Sequence, residues 1–501
     1  MKMIYNVKDK PKFGQLIVFA FQQLLAIMAA TIAVPMIVGN GMSTSAALFG
    51  AGIGTLVYVL FTKAKSPVFL GSSFAFLGAM FAAFSGAASA ALGYVGLIIG
   101  AALAGLVYVV IALIIKFAGV KWINKIMPAV VIGPIVAIIG LSLAGNAIGD
   151  LSKVNYTAPV DMAQVQAVEV GTINEDGTIA SSYVAINDDG TVNESITLTP
   201  DENGNLTAAT QPGSPYVAII CGLVTLAVVM LCSVYGKKMA RLIPFIIGIL
   251  AGYLVATIFY FIGKATGNAA LMVIDYSALI NNFKVIGVYS FIAMPDFSFL
   301  KAFGAFGEVN GAYIGTIAAA YVPVAFVVFA EHIADHKNLS SIIEHDLLED
   351  PGLSRTLLGD GIGSMVGAAF GGCPNTTYGE SIGCVAITKN ASVSTIIVTA
   401  CEAIIISFIA PFVAFLSTIP SCVMGGVCIA LYGFIAVSGL KMLQKVDLDD
   451  NRNLFTASVI LITGVGGFIL TFGTITVTTV ACALILGILT NVMLSKKKKA
   501  E

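Results

Sequence analysis

The chain has 501 residues, of which 58% are hydrophobic and 11% charged, and its 26 basic and 27 acidic side chains leave a net charge of −1. A soluble domain carries about 25% charged residues, so this composition excludes an ordinary soluble fold, and the balanced charge favours no nucleic-acid partner. Apolar runs of roughly 17–25 residues, long enough to cross a bilayer, recur along almost the whole length. With no water to satisfy peptide groups, such runs must be helices packed in a bundle.

In chain order the expected spans are 15–38, 44–62, 67–84, 93–115, 128–148, 216–235, 242–263, 313–336, 356–372, 376–388, 393–412, 420–440, 454–472 and 475–494. The basic stretch Met1 to Lys12 precedes a run too long for a signal peptide and without a small-residue cleavage site. Fourteen spans place both termini on one side. Lys2, Lys8, Lys10 and Lys12 precede the first span, Lys63 and Lys65 follow the second, and Lys116, Lys121 and Lys125 follow the fourth. Lys237, Lys238 and Arg241 follow the sixth, Lys441 and Lys445 the twelfth, and Lys496 to Lys499 the last. All fall on one face, which the positive-inside rule makes cytoplasmic. The expectation is a multi-pass protein of the cell inner (plasma) membrane, in contact with lipid, with both termini in the cytoplasm.

The opposite face receives the segment Asp150 to Ser214, with ten acidic residues against the single Lys153. Turn dipeptides (Asp176-Gly177, Asp189-Gly190, Asn203-Gly204) punctuate alternating runs such as QVQAVEV and SITLT, which read as a small extracytoplasmic β-hairpin insertion, with a disordered tether as the alternative. None of the eight cysteines lies in it, and they read as packing residues.

Two pairs of spans resemble each other at a common offset of seven. Ser66-Pro67…Gly71 of the third matches Cys373-Pro374…Gly379 of the tenth, and Pro128…Gly133 of the fifth matches Pro420…Gly425 of the twelfth. An odd offset reverses direction across the bilayer, so the halves read as a 7+7 inverted repeat. The third and tenth spans are interrupted near their starts by Pro, Gly and small polar residues, each reading as a short strand plus a half-helix. Broken spans at matching positions of two halves point to a transporter's midplane site. A helix that begins inside the membrane exposes backbone N–H donors to a carbonyl or anion, and Gly71 and Gly379 let the backbone bend and approach a ligand.

Charged residues within spans are costly and usually face a cavity. Glu331 lies in VAFVVFAEHIADHKN with Asp335 one turn on, Glu380 sits at the break of the tenth span, and Glu402 lies in TACEAIIISF as an expected structural acid. Asp335 and His336 also fit the cytoplasmic end of that helix. His332 and His336 are spaced i, i+4, but Ile333 follows His332 where a zinc protease needs glutamate, and no third ligand is evident, so no metal is expected. No Walker loop, nucleophile elbow or CxxC motif occurs, which argues against an enzyme.

The runs AEHIADHKNL, PNTTYGESIGCVAITK, QQLLAIMAATIAVP and SPVFLGSSFAFLGA together resemble the nucleobase–ascorbate transporter family, most closely its bacterial uracil-transporting branch, over residues 13 to 494. The resemblance implies an all-α membrane fold with a core domain (13–120 and 310–415) moving against a gate domain (121–309, including the 150–214 insertion, and 416–495). It implies a proton- or sodium-coupled importer, often a homodimer, with no cofactor beyond the coupling ion. Carried over, Glu331 and Glu380 bind the pyrimidine, with the Gly379 backbone beside them. Phe74 and Ser73 lie at the third-span break, Ala30 is a first-helix contact, and Tyr432 faces the substrate from the gate. Glu331, Asp335 and His332 are the expected proton-coupling groups, and Ser381, Tyr378 and Thr377 the supporting ones. Two departures stand out: Ser381 replaces the asparagine usual after the tenth-span acid, and Asp335 stands where the uracil-transporting relatives tend to have histidine.

Uracil offers two ring N–H donors and two carbonyl acceptors. An ionised carboxylate only accepts, and a protonated one can also donate. Glu331 and Glu380 can therefore accept from the ring while the backbone N–H groups of Gly379 and Phe74 donate to its carbonyls. A carboxylate withdrawn from water favours its protonated form, which links binding to proton movement. The reading is secondary active import of uracil with protons. The alternatives are a xanthine or purine substrate, sodium coupling, an uncoupled facilitator, or an anion carrier of the same architecture. An anion carrier should show a basic residue at the breaks, and both breaks lack one.

Overall fold

The computed structural model describes residues 3–119, 128–160, 165–173, 179–186, 196–200, 206–210, 212–237, 239–472 and 475–494. The apolar runs fold as helices that begin and end where the chain offers caps. Helix α1 spans Phe13–Val38 and ends at Gly39, whose φ of 67° suits glycine. Helix α2 (Thr44–Phe61) starts at Ser43, whose hydroxyl accepts from the Ala46 amide. Strand β1 (Leu70–Ser72) leads through a 3-10 turn (Phe74–Phe76) into the short α3 (Leu77–Ser85). Helices α4 (Ala90–Ala118) and α5 (Ala129–Ser142) follow, and a second helical piece, Ala144–Leu151, continues α5.

The acidic insertion contributes β2 (Ala158–Val160), β3 (Gln166–Ile173), β4 (Ile179–Ile186), β5 (Ile196–Pro200) and β6 (Leu206–Thr210). β3 pairs antiparallel with β4, and β6 lies between β2 and β5. Its turn dipeptides lie outside the described residues.

The chain re-enters the bundle through α6 (Pro215–Tyr235), a short helix at Met239–Leu242, and α7 (Pro244–Thr266). Helix α8 (Gly311–Ile343) is capped by the Asn310 side chain on the Tyr313 amide at 2.8 Å. Helix α9 (Leu353–Gly371) ends at Gly372 with φ of 72°. Strand β7 (Asn375–Thr377) then enters the short α10 (Gly379–Thr388), followed by α11 (Val393–Ile406) and α12 (Ser421–Leu443). Helix α13 (Asn451–Val465), strands β8 (Leu470–Phe472) and β9 (Ile475–Val477), and α14 (Thr479–Leu494) complete the chain. Among the described residues eight helical stretches are long and apolar enough to cross a membrane: α1, α2, Ala90–Phe117, Ala129–Leu151, α6, α7, α8 and α12.

The interior breaks have a direct cause. Pro67 and Pro374 cannot donate a helical hydrogen bond, and the β-branched Thr376 and Thr377 favour extended backbone. The freed peptide groups need partners away from water, and they find each other. β1 runs antiparallel to β7 in the register Leu70↔Thr377, Gly71↔Thr376, Ser72↔Asn375. The Ser73 amide on the Pro374 carbonyl (2.9 Å) and the Tyr378 amide on the Phe69 carbonyl (3.2 Å) extend the pairing. Helices α3 and α10 therefore both start from one buried two-stranded ribbon.

Small residues bring backbones together around it. A side chain at Gly54 of α2 would strike the Gly363 carbonyl of α9 at 2.7 Å, and one at Gly133 of α5 would meet the Gly439 carbonyl of α12 at 3.0 Å. Two expected boundaries are corrected. The 454–472 run stops being helical at Val465, followed by Gly466 and Gly467, and residues 470–472 pair with 475–477, so helix α14 begins only at Thr479. The β-branched run ITVTT favours this extended stretch.

Candidate functional site

A cavity of about 450 Å³ lies beside the ribbon, within the size range of small-molecule sites. Glu331 and Asp335 reach it from α8, one turn apart, together with Val327 and Ala334 of the same face. Ser73 and Phe74 reach it from the start of the 3-10 turn, and Thr377, Tyr378, Gly379 and Glu380 from the start of α10. Leu25 and Ala26 of α1 and Leu431, Phe434, Ile435 and Ser438 of α12 form the facing walls. Two helix N-termini thus open on one cavity, and the first amides of each have no acceptor within their own helix.

The glycine positions work differently from the sequence expectation. Neither Gly71 nor Gly379 has a positive φ. A side chain at Gly71 would collide with the Tyr378 ring, so this glycine lets the ring lie against the ribbon, where its hydroxyl donates to the Ser72 carbonyl at 2.7 Å. Around Gly379 nothing comes within 4 Å of a side-chain position. Its bare backbone faces open space, so a ligand can approach it.

The three cavity acids differ in their partners. Asp335 accepts from the Thr377 hydroxyl at 2.7 Å, which ties α8 to β7. It faces the cavity and is not a solvated helix end. Among the described residues neither Glu331 nor Glu380 is bonded to another side chain, and none of the three acids has a cationic partner. Arg241, exposed, is the basic residue on the cavity lining, and it stands at the end where Leu242, Ile243 and Met442 also lie.

Other predicted residues lie behind the wall. Ser381 is fully buried, and its hydroxyl accepts from the Phe69 amide at 3.0 Å and from the Gln23 carboxamide. It therefore pins α10 to β1 and α1 although serine stands in place of asparagine. Ala30 packs under Phe74 and Tyr378 in a buried apolar cluster. Tyr432 is buried, its ring edge-on to Phe74 at 6.1 Å between centroids and its hydroxyl without a partner. Glu402, on α11, is not on the cavity lining, and one of its carboxylate oxygens is buried without a partner.

His332 does not join Glu331 in the cavity. Both it and Asp360 of α9 are 0% exposed, with His332 Nδ1 2.7 Å from Asp360 Oδ2 and Nε2 3.0 Å from the Thr356 hydroxyl. His336 continues this face. Its Nδ1 lies 2.8 Å from the His332 carbonyl, which can only accept, so Nδ1 carries the proton, and Nε2 lies 2.7 Å from the Tyr58 hydroxyl. Asp360 is the buried acid missing from the sequence reading. Its signal was available: an acid inside the expected span TLLGDGIGSMVG. Gln23 was missed for a different reason, since a glutamine in an apolar run gives no hint of its partner.

A second cavity, of about 610 Å³, is lined by Asn40, Ser85, Asn146 and Thr478, and Ala75 lines both cavities. The two cavities therefore adjoin at the 3-10 turn.

Comparison with known proteins agrees in sequence and in shape. The model of a permease family matches residues 14–175 and 207–473. A uracil permease of Bacillus caldolyticus is 36% identical over 100% of this chain and 96% of its own length. Those of Bacillus subtilis (35%, covering 100% and 97%) and Escherichia coli (32%, covering 96% and 92%) are similar over comparable shares. Among solved structures, the transmembrane domain of a cyanobacterial bicarbonate transporter, BicA, superposes with a TM-score of 0.57 at 14% identity, covering 97% of this chain and 100% of that one. The structure of SLC26A9 superposes with a TM-score of 0.57 at 12% identity, covering 96% of this chain and 66% of that one. At such identities these two matches speak for the fold alone.

Proposed function

Because the chain belongs to the nucleobase–ascorbate transporter family, we propose that it imports a nucleobase, uracil first, by proton-coupled alternating access. The relatives that match it end to end bear the name uracil permease. The observation that carries the reading is the cavity in which two carboxylates without side-chain partners, Glu331 and Glu380, meet the N-termini of two half-helices. Uracil needs two acceptors for its N–H groups and donors for its carbonyls. The carboxylates supply the first, and the amides of Gly379 and Phe74 the second. The ring has an apolar contact in Phe74.

The full architecture we infer is fourteen spans in a 7+7 inverted repeat. The pairing of β1 with β7, at the starts of the expected third and tenth spans, and the backbone-close contacts of α2 with α9 and of α5 with α12 support it, since each joins spans seven apart. Helices α1–α4 and α8–α11 then form the core, α5–α7 and α12–α14 the gate. The cavity opens toward the end that carries Arg241, which the basic-residue distribution assigns to the cytoplasm. The second cavity marks the external approach. The protein functions as a homodimer in the plasma membrane, as the family resemblance implies.

Coupling follows from the acids. Glu331 must gain a proton or a ligand N–H to offset its burial, and Asp335, a second acid where relatives tend to have histidine, sets the charge beside it. The test is uptake of radiolabelled uracil and xanthine into proteoliposomes under imposed pH or sodium gradients. Uracil accumulation driven by an inward proton gradient is expected. A sodium requirement with no response to pH, or counterflow indifferent to both, overturns the coupling, and transport of xanthine alone overturns the substrate.

A further inference from the structure

At the end of the bundle where the chain begins, a separate set of charged groups surrounds a cavity of about 330 Å³ that the transport reading does not use. Its walls come from four pieces of chain. The N-terminal strap supplies Lys8, the α2–β1 connection Lys65, the α8–α9 connection His345 and Asp350, and the α10–α11 turn Ala391. The strap is fastened in place: the Ile4 amide donates to the Lys389 carbonyl (2.8 Å), and the Ala391 and Val393 amides donate to the Tyr5 and Val7 carbonyls (2.9 and 3.1 Å).

The charge is unbalanced. Lys65 Nζ sits 2.5 Å from Asp350 Oδ1, and His345 Nε2 lies 3.0 Å from the Asp350 carbonyl. The Lys65 ammonium, with further contributions from His345 and Lys8, holds the Asp350 carboxyl below the usual carboxylate range. Lys8 has no ion-pair or hydrogen-bond partner among the described residues. Two lysines and a histidine therefore gather around one carboxylate, in a cavity that holds more than water.

We propose that this cavity binds a phosphate-bearing anion at the cytoplasmic ends of the two helices that carry Glu331 and Glu380. The residual donors of Lys8 and Lys65 suit a doubly charged phosphate ester, a point-charge and hydrogen-bond recognition that needs no arginine. Ile343 on the same lining adds apolar surface for whatever the phosphate is attached to. Two sources carry that chemistry, a free phosphate ester and a lipid headgroup. Either would join the ends of α8 and α10 through the strap and stiffen the half of the molecule that holds the acids.

The test uses the full chain in detergent at constant ionic strength, with thermal unfolding followed in chloride and after adding inorganic phosphate, uridine 5′-monophosphate or short-chain phosphatidylglycerol. At least one of the three is expected to raise Tm above the chloride value. Stabilisation by phosphate or the nucleotide assigns a soluble ligand, and stabilisation by phosphatidylglycerol alone assigns a lipid. Lys8→Ala, an exposed and unpaired position, should keep the ligand-free Tm and weaken the apparent affinity roughly tenfold, the loss of one charge-assisted contact. Lys8→Ala/Lys65→Ala should abolish the shift. No stabilisation by any of the three, or an equal shift in both variants, overturns the proposal.

Discussion

Helix α8 presents two polar faces that differ in one respect. On one, Glu331 opens on the cavity without a side-chain partner and Asp335 holds only the Thr377 hydroxyl. On the other, His332 and His336 are sealed, with both ring nitrogens of each engaged by Asp360, Thr356, Tyr58 or the helix backbone. Adjacent residues in sequence thus have opposite physical roles. A buried polar group with its bonds made contributes to a fixed structure, and Asp360 Oδ1, left without a partner, lies off the cavity, whereas a group with bonds left open on the cavity is available to a ligand or a proton. Residue type alone does not separate the two, because histidine is the more usual proton carrier and lies on the closed face.

The comparison can be broken most forcefully at Asp360. Asp360→Ala strips the partner from a fully buried histidine, a change that costs on the order of 3–5 kcal/mol when a buried pair is broken. The expected outcome is a large fall in Tm and in protein recovered from the membrane. Normal stability would show that the sealed face is not a structural unit. Glu331→Gln probes the open face, and the variant should remain folded yet fail to accumulate uracil, with binding weaker by about 1–3 kcal/mol because an acceptor becomes a donor. Equal damage to stability from Glu331→Gln and Asp360→Ala would erase the distinction between the faces.

Asp335→Asn sharpens the comparison, since it keeps a partner for Thr377 and removes one negative charge beside Glu331. Uptake should persist with its pH profile displaced toward lower pH. An unchanged profile would remove Asp335 from the proton step. The smallest effect belongs to the acidic insertion. Replacing Asp161 to Pro212 with a short linker should leave uracil uptake within about twofold, because no residue of the cavity lining lies there and insertions between packed helices are tolerated. Binding without transport in that variant would assign the insertion to gating.

Much of this was legible in the sequence. Proline, glycine and threonine in SPVFLGSS and CPNTTYGE announced the broken spans, because those residues deny a helix its hydrogen bonds or its rotamers. Glu331 and Glu380 stood out by the cost of an acid in an apolar run. What stayed hidden depends on three-dimensional pairing. The i, i+4 spacing put His332 and His336 on one face, but nothing in the order of residues said that this face meets Asp360 rather than the cavity. Ala30 and Tyr432, expected as contacts, back Phe74 and lie behind the cavity wall. The paired strands 470–472 and 475–477 were read as helix because hydrophobicity is continuous across both conformations.

The most direct test of the account is uracil binding to purified protein by calorimetry, comparing wild type with Glu380→Gln. This carboxylate begins α10, faces the cavity and is bonded to no other side chain. The amide in its place offers a donor toward a ring N–H in a site shielded from water. A loss of about 1–3 kcal/mol, a fall in affinity of roughly 5- to 150-fold, is expected with an unchanged ligand-free Tm. Wild-type affinity in a well-folded Glu380→Gln protein would contradict the assignment of this cavity as the nucleobase site.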